Sequence, residues 1–86
     1  MILLKQIPAI DMEATGENIR VLRNERHISV RELQAVLGFS TPQAIYKWER
    51  GVYMPSLDNL VILAAVFETT VDRILVYETH GAVRSA

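Results

Sequence analysis

The chain has 86 residues, half of them hydrophobic and 22% charged, which bounds it to one folded soluble domain whose thin stability margin dimerisation would widen. It contains no cysteine, so disulfides and cysteine-ligated zinc are excluded, the fold rests on packing, and a cytoplasmic location is expected. The formal net charge is −1, the longest apolar run, Leu60–Phe67, is far too short for a bilayer span, and Met1–Lys5 is too short for a signal-peptide core, so no membrane association is expected.

Residues 1–10 form an apolar arm in which Pro8 bars a helix. Its large apolar residues fit either a strand paired with a second copy, the reading favoured here, or an arm folded back on its own domain. A 3.6-residue period then dominates and predicts an all-α domain of five short helices over residues 11–77, with a patternless, mobile tail at 78–86. The first helix runs from about Met12 to Arg26, with Asp11 as N-cap and Thr15 as a second candidate start. Thr15, Ile19, Leu22 and Arg26 share one stripe. Gly16, a poor helix former, marks either a close approach of another backbone or a phosphate, or a frayed first turn.

The second helix begins at a capping box, Ser29-Val30-Arg31-Glu32, buries Val30, Leu33 and Leu37, and ends at Gly38 in a left-handed cap. The third is expected to start with Thr41 as N-cap and Pro42 at the first helical position, to anchor through Ala44, Ile45 and Trp48, and to close at Gly51. Gln43, Tyr46, Lys47 and Arg50 point away from those anchors. Trp48, at helical spacing from Ile45, reads as core rather than as a stacking platform. Ser56 caps the fourth helix, whose stripe is Leu57, Leu60, Leu63, Ala64 and Phe67. That helix is apolar nearly all round from Leu60 to Phe67, which implies burial on several sides. Thr69 or Thr70 caps the fifth, with Val71, Ile74 and Leu75 inward.

Two short helices joined by a tight turn, the second with a polar face, make a helix-turn-helix. In such a pair the first helix braces across the DNA backbone and the second enters the major groove. Gln43 can pair with adenine through two hydrogen bonds and Lys47 can donate to guanine, and the two lie one turn apart on one face. The net charge runs against this, since nucleic-acid binders are often basic, but its distribution does not. Residues 17–50 carry six bases (Arg20, Arg23, Arg26, Arg31, Lys47, Arg50) against four acids, whereas residues 51–86 carry two bases against four acids. Arg31, at the start of the second helix, is placed for a phosphate. His27 suits the C-terminal end of the first helix.

From Gly16 to Leu75 the chain resembles the lambda-repressor/Cro (Xre) family of helix-turn-helix domains. The pieces that carry the resemblance are Gly16, Ile19-Arg20-Val21-Leu22-Arg23, Ile28-Ser29, Glu32-Leu33, Leu37-Gly38, Ile45-Tyr46-Lys47-Trp48-Glu49-Arg50-Gly51, Pro55-Ser56-Leu57-Asp58-Asn59-Leu60 and Val71-Asp72-Arg73-Ile74-Leu75. The resemblance implies a five-helix domain that binds operator DNA, usually as a dimer. It places base-contacting positions on Thr41, Pro42, Gln43, Tyr46 and Lys47, and a phosphate contact on Arg50, with Ser40 and Arg31 as further phosphate candidates. It also implies a partly buried ion pair between Arg23 and Glu49, tying the first helix to the third. The stretch from Gly38 to Ile45 is one residue longer than the commonest family pattern, and Pro42 stands where many relatives have a hydrogen-bonding side chain. A wider turn and one lost base contact are therefore expected.

An enzyme is hard to build from this chain. His27 and His80 are the only histidines, neither with a metal-ligand cluster, and Gly38–Pro42 is not a nucleophile elbow. No metal and no cofactor are expected. The sequence thus points to a DNA-binding transcriptional regulator, a repressor that meets double-stranded DNA as a homodimer. An antitoxin with a toxin partner, or a protein-interaction module with little DNA affinity, remain the alternatives on the same fold.

Overall fold

The computed structural model of the chain describes residues 7–80. Five helices, α1 (Met12–Glu25), α2 (Val30–Leu37), α3 (Gln43–Glu49), α4 (Leu57–Val66) and α5 (Val71–Ile74), are flanked by two short strands, β1 (Ile7–Ile10) and β2 (Tyr77–His80). Among the described residues, no helix is long and apolar enough to cross a membrane.

The caps act through local chemistry. Asp11 accepts from the Ala14 N–H at 2.9 Å, Ser56 from the Asn59 N–H at 3.1 Å and Thr70 from the Arg73 N–H at 3.2 Å, so Thr70 rather than Thr69 starts α5. Thr15 starts nothing: it is buried inside α1, where its hydroxyl accepts from the Val76 N–H at 2.9 Å. Asn18 donates to the Arg73 and Ile74 carbonyls at 2.8 and 3.0 Å, satisfying the end of α5.

One core joins all five helices: Ile19, Leu33, Ile45, Trp48, Leu60, Leu63, Ala64, Phe67 and Ile74. Trp48 is 5% exposed and meets the Phe39 ring edge-on at 5.7 Å. Gly16 is buried at a close approach of α1 to the Trp48 carbonyl, not in a frayed turn.

Three expectations are corrected. β1 pairs antiparallel with the chain's own β2, in the register Ile7↔His80 to Ile10↔Tyr77, so this part of the arm folds back on its own domain. The ladder continues through the Asp11 N–H donating to the Val76 carbonyl at 2.8 Å, so Glu78–His80 is strand rather than loose tail. The remaining arm and tail positions, 1–6 and 81–86, lie outside the described residues. α3 starts one residue late. Pro42 is its N-cap with no side-chain cap bond, while the Thr41 hydroxyl reaches only the Gln43 N–H, at 3.5 Å. The longer turn spends Thr41 on itself and leaves the Pro42 carbonyl to open the helical ladder. Finally, α4 is buried on one side only. Leu57 is 72%, Val61 56% and Ile62 37% exposed, and Ala65 is exposed beside them, because one small domain has no second layer to cover that face.

Candidate nucleic-acid interface

The α2–turn–α3 unit is built from short-range rules. The Ser29 hydroxyl accepts from the Glu32 N–H at 3.0 Å, and the Glu32 carboxylate accepts from the Ser29 N–H at 2.8 Å. The Ser29 backbone N–H first, and the Ser29 hydroxyl after it, hold the Glu32 carboxyl below its ordinary pKa. At the other end Gly38 adopts φ +73°, and the Phe39 N–H returns to the Gln34 carbonyl at 3.1 Å. The Gln34 amide then donates to the Phe39 carbonyl at 3.2 Å and braces the turn.

Orientation of α3 comes from α1. Arg23 makes a bidentate contact with Glu49, Nε to Oε2 at 2.7 Å and Nη2 to Oε1 at 3.1 Å. A third donor, Nη1, reaches the Ile28 carbonyl at 3.0 Å in the α1–α2 connection. The side chains are 11% and 8% exposed, so the pair is fenced from water and aligned by a planar fork. Three elements are thereby fixed at one guanidinium.

The expected reading residues fall on the outer side of this frame. Thr41, Gln43 and Tyr46 are exposed, and Lys47 is half-buried. Arg31, Pro42 and Tyr46 line an open cleft of about 590 Å³ between α2 and α3. Ser40 is exposed in the turn. Arg50 is also exposed, but it borders a separate cleft with Asp11, Glu13 and Glu17, acids that oppose a phosphate there. The structure thus gathers Arg31, Ser40, Thr41, Gln43 and Tyr46 around the turn and the start of α3, and sets Arg50 apart from them.

Two contacts escaped the sequence reading. The Gln34 brace leaves no periodic signal. The Lys47 ammonium lies over the Tyr53 ring, 5.3 Å from its centroid. An aromatic two residues past Gly51 was the available hint, because Gly51 turns the chain back at φ +75° and the Val52 N–H returns to the Lys47 carbonyl at 2.9 Å.

Residues 19–74, which hold α2, the turn and α3 whole, match the helix-turn-helix family HTH_3. The chain belongs to that family, and its fold is of the Xre type. Among solved structures it is similar to the restriction-modification controller protein C.AhdI from Aeromonas hydrophila, at 25% identity and TM-score 0.66, over 74% of this chain and 96% of that one. The clp gene regulator ClgR from C. glutamicum shares the fold at 23% identity and TM-score 0.64, over 85% of this chain and 83% of that one. So does the DNA-binding domain of BldD, at 18% identity and TM-score 0.63, over 76% and 93%. No curated protein sequence matches the chain. Membership in this helix-turn-helix family makes the chain a DNA-binding transcription regulator and not an enzyme.

Proposed function

We propose that this regulator is a cytoplasmic repressor that reads a two-fold-related operator as a homodimer. The observation that carries the reading is the exposed row of Thr41 in the turn and Gln43 and Tyr46 on the helix that follows, which the Arg23–Glu49 pair holds rigid. Arg31 and Ser40 flank that row and supply phosphate contacts, so the protein is positioned by the backbone and informed by the bases. Repression follows from occupancy, since a bound dimer shields the promoter it sits on.

The dimer reading is supported by α4. Its exposed face carries Leu57, Val61, Ile62 and Ala65, and Asp58 is the only charged residue of the helix. A face without a cation is not made for nucleic acid, and its apolar side chains are the burial the monomer leaves unmet. Val61 stands four residues from both Leu57 and Ala65. An antiparallel second copy centred on Val61 would therefore set the large Leu57 over the small Ala65 of the partner subunit, an isologous fit.

Selection of bound duplexes from random DNA tests the reading. Two inverted half-sites with centres about 10 base pairs apart are expected. A single asymmetric half-site would remove the dimer, and no retained duplex at low salt would favour the antitoxin or protein-interaction alternative, with α4 as the docking face.

A further inference from the structure

Lys47 and Gln43 share a helix face, yet their surroundings differ. Gln43 is exposed, whereas Lys47 is half-buried with its ammonium over Tyr53. Lys47 lies in the last turn of α3, and Tyr53 follows the end of that helix. The ring is set there by backbone: Gly51 in the left-handed conformation, the Val52 N–H on the Lys47 carbonyl at 2.9 Å and the Tyr53 N–H on the same oxygen at 3.4 Å. A helical side chain ordinarily leans toward the N-terminus of its helix. Here the ammonium is instead held against a ring from the residue two past Gly51, beyond the end of the helix.

A reading helix brings its N-terminal residues nearest the base edges, and its far end runs out toward the sugar–phosphate rim. A cation in the last turn, fixed there by a ring, is placed to meet phosphate. Lys is suited to this as a compact point charge, while bidentate base recognition falls to Gln43. We infer that Tyr53 is a positioning residue that makes Lys47 a phosphate contact, leaving base discrimination to Thr41 in the turn and to Gln43 and Tyr46 on α3. This rests on the DNA-binding reading above.

The full chain and the variants K47M, Y53F, Y53L and Y53L/K47M are titrated against a selected site and a random duplex over a range of salt. K47M should weaken both duplexes by the same factor, lower the salt slope by about one and leave the selected sequence unchanged. Y53F, which keeps the ring face, should match the parent. Y53L should weaken binding about two- to fivefold, and that loss should vanish in the K47M background. K47M relaxing the preference at one base pair with an unchanged slope would overturn the inference. So would a Y53L loss that persists without Lys47. In the free protein, the Lys47 side-chain protons should show an upfield ring-current shift that Y53L abolishes. Its absence overturns the contact alone, while a normal shift with no duplex retained overturns the DNA-binding reading and the inference together.

Discussion

Only a hydrogen fits between Gly16 of α1 and Trp48 of α3: a Cβ built on Gly16 would lie 2.2 Å from the Trp48 carbonyl oxygen and 2.9 Å from that of Glu49. Two helix backbones touch there. Helix propensity alone would have Gly16→Ala stabilise the protein by about 1 kcal/mol. The contact reverses the sign, because the obstacle is backbone and cannot rotate away. A loss of about 3 kcal/mol or more is expected from urea unfolding. A stabilised variant would mean that α1 and α3 are not in contact at Gly16.

Arg23 and Glu49 are expected to fail singly and to tolerate joint replacement better. R23M strands a carboxylate, and E49M strands a guanidinium. Each should cost about 3–5 kcal/mol, because a buried partner is left unpaired. The double variant should lose clearly less than the sum in a double-mutant cycle. Additive losses would reduce the pair to two independent packing residues.

The α2 capping box sets an acid dependence. The folded protein holds the Glu32 carboxyl below its ordinary value of 4.5, so its stabilising share is present above that value and is lost as pH falls through the lower folded one. In E32Q an amide still closes the box but cannot titrate. The parent should be the more stable at neutral pH, and the gap between them should close on acidification. A gap independent of pH would assign Glu32 no ionic role.

Val61, 56% exposed, is the intended centre of the α4 face. At a dilution where the parent is monomeric, V61E should leave unfolding within about 0.5 kcal/mol of it, as expected for an exposed substitution. In sedimentation the parent should associate as its concentration rises, and V61E should stay monomeric. A parent that is monomeric throughout would remove α4 as a homodimer surface.

Much of this was legible, and the boundary follows sequence distance. Asp11, Ser29 with Glu32, Gly38 and Ser56 act within four residues, so their types alone locate helix ends. Trp48 and the core also follow from period. The Arg23–Glu49 pair spans 26 residues and no periodicity joins its members; only the resemblance did. The β1–β2 pairing was missed because Tyr77–His80 lacks apolar alternation and its register is set by residues some seventy positions away. Periodicity also gives the apolar girth of α4 without saying whether the same chain covers it. At the reading face, exposure of Gln43 and Tyr46 followed from the helical wheel and Thr41 was named there only through the resemblance, while the Lys47–Tyr53 contact depends on a turn that periodicity does not describe.

The pairing of Ile7 with His80 makes residues 7–80 a nearly closed ring of chain, with a two-stranded latch across the gap. Such a small sheet is marginal by itself, and its partners are the most distant in sequence, so it has the most loop entropy to overcome. It should therefore form last and open first, exchanging its amides faster than the helical body while that body stays intact. A short linker joining the two strand ends, with new termini cut in the exposed Val52–Tyr53 loop, should give a circular permutant that keeps the fold.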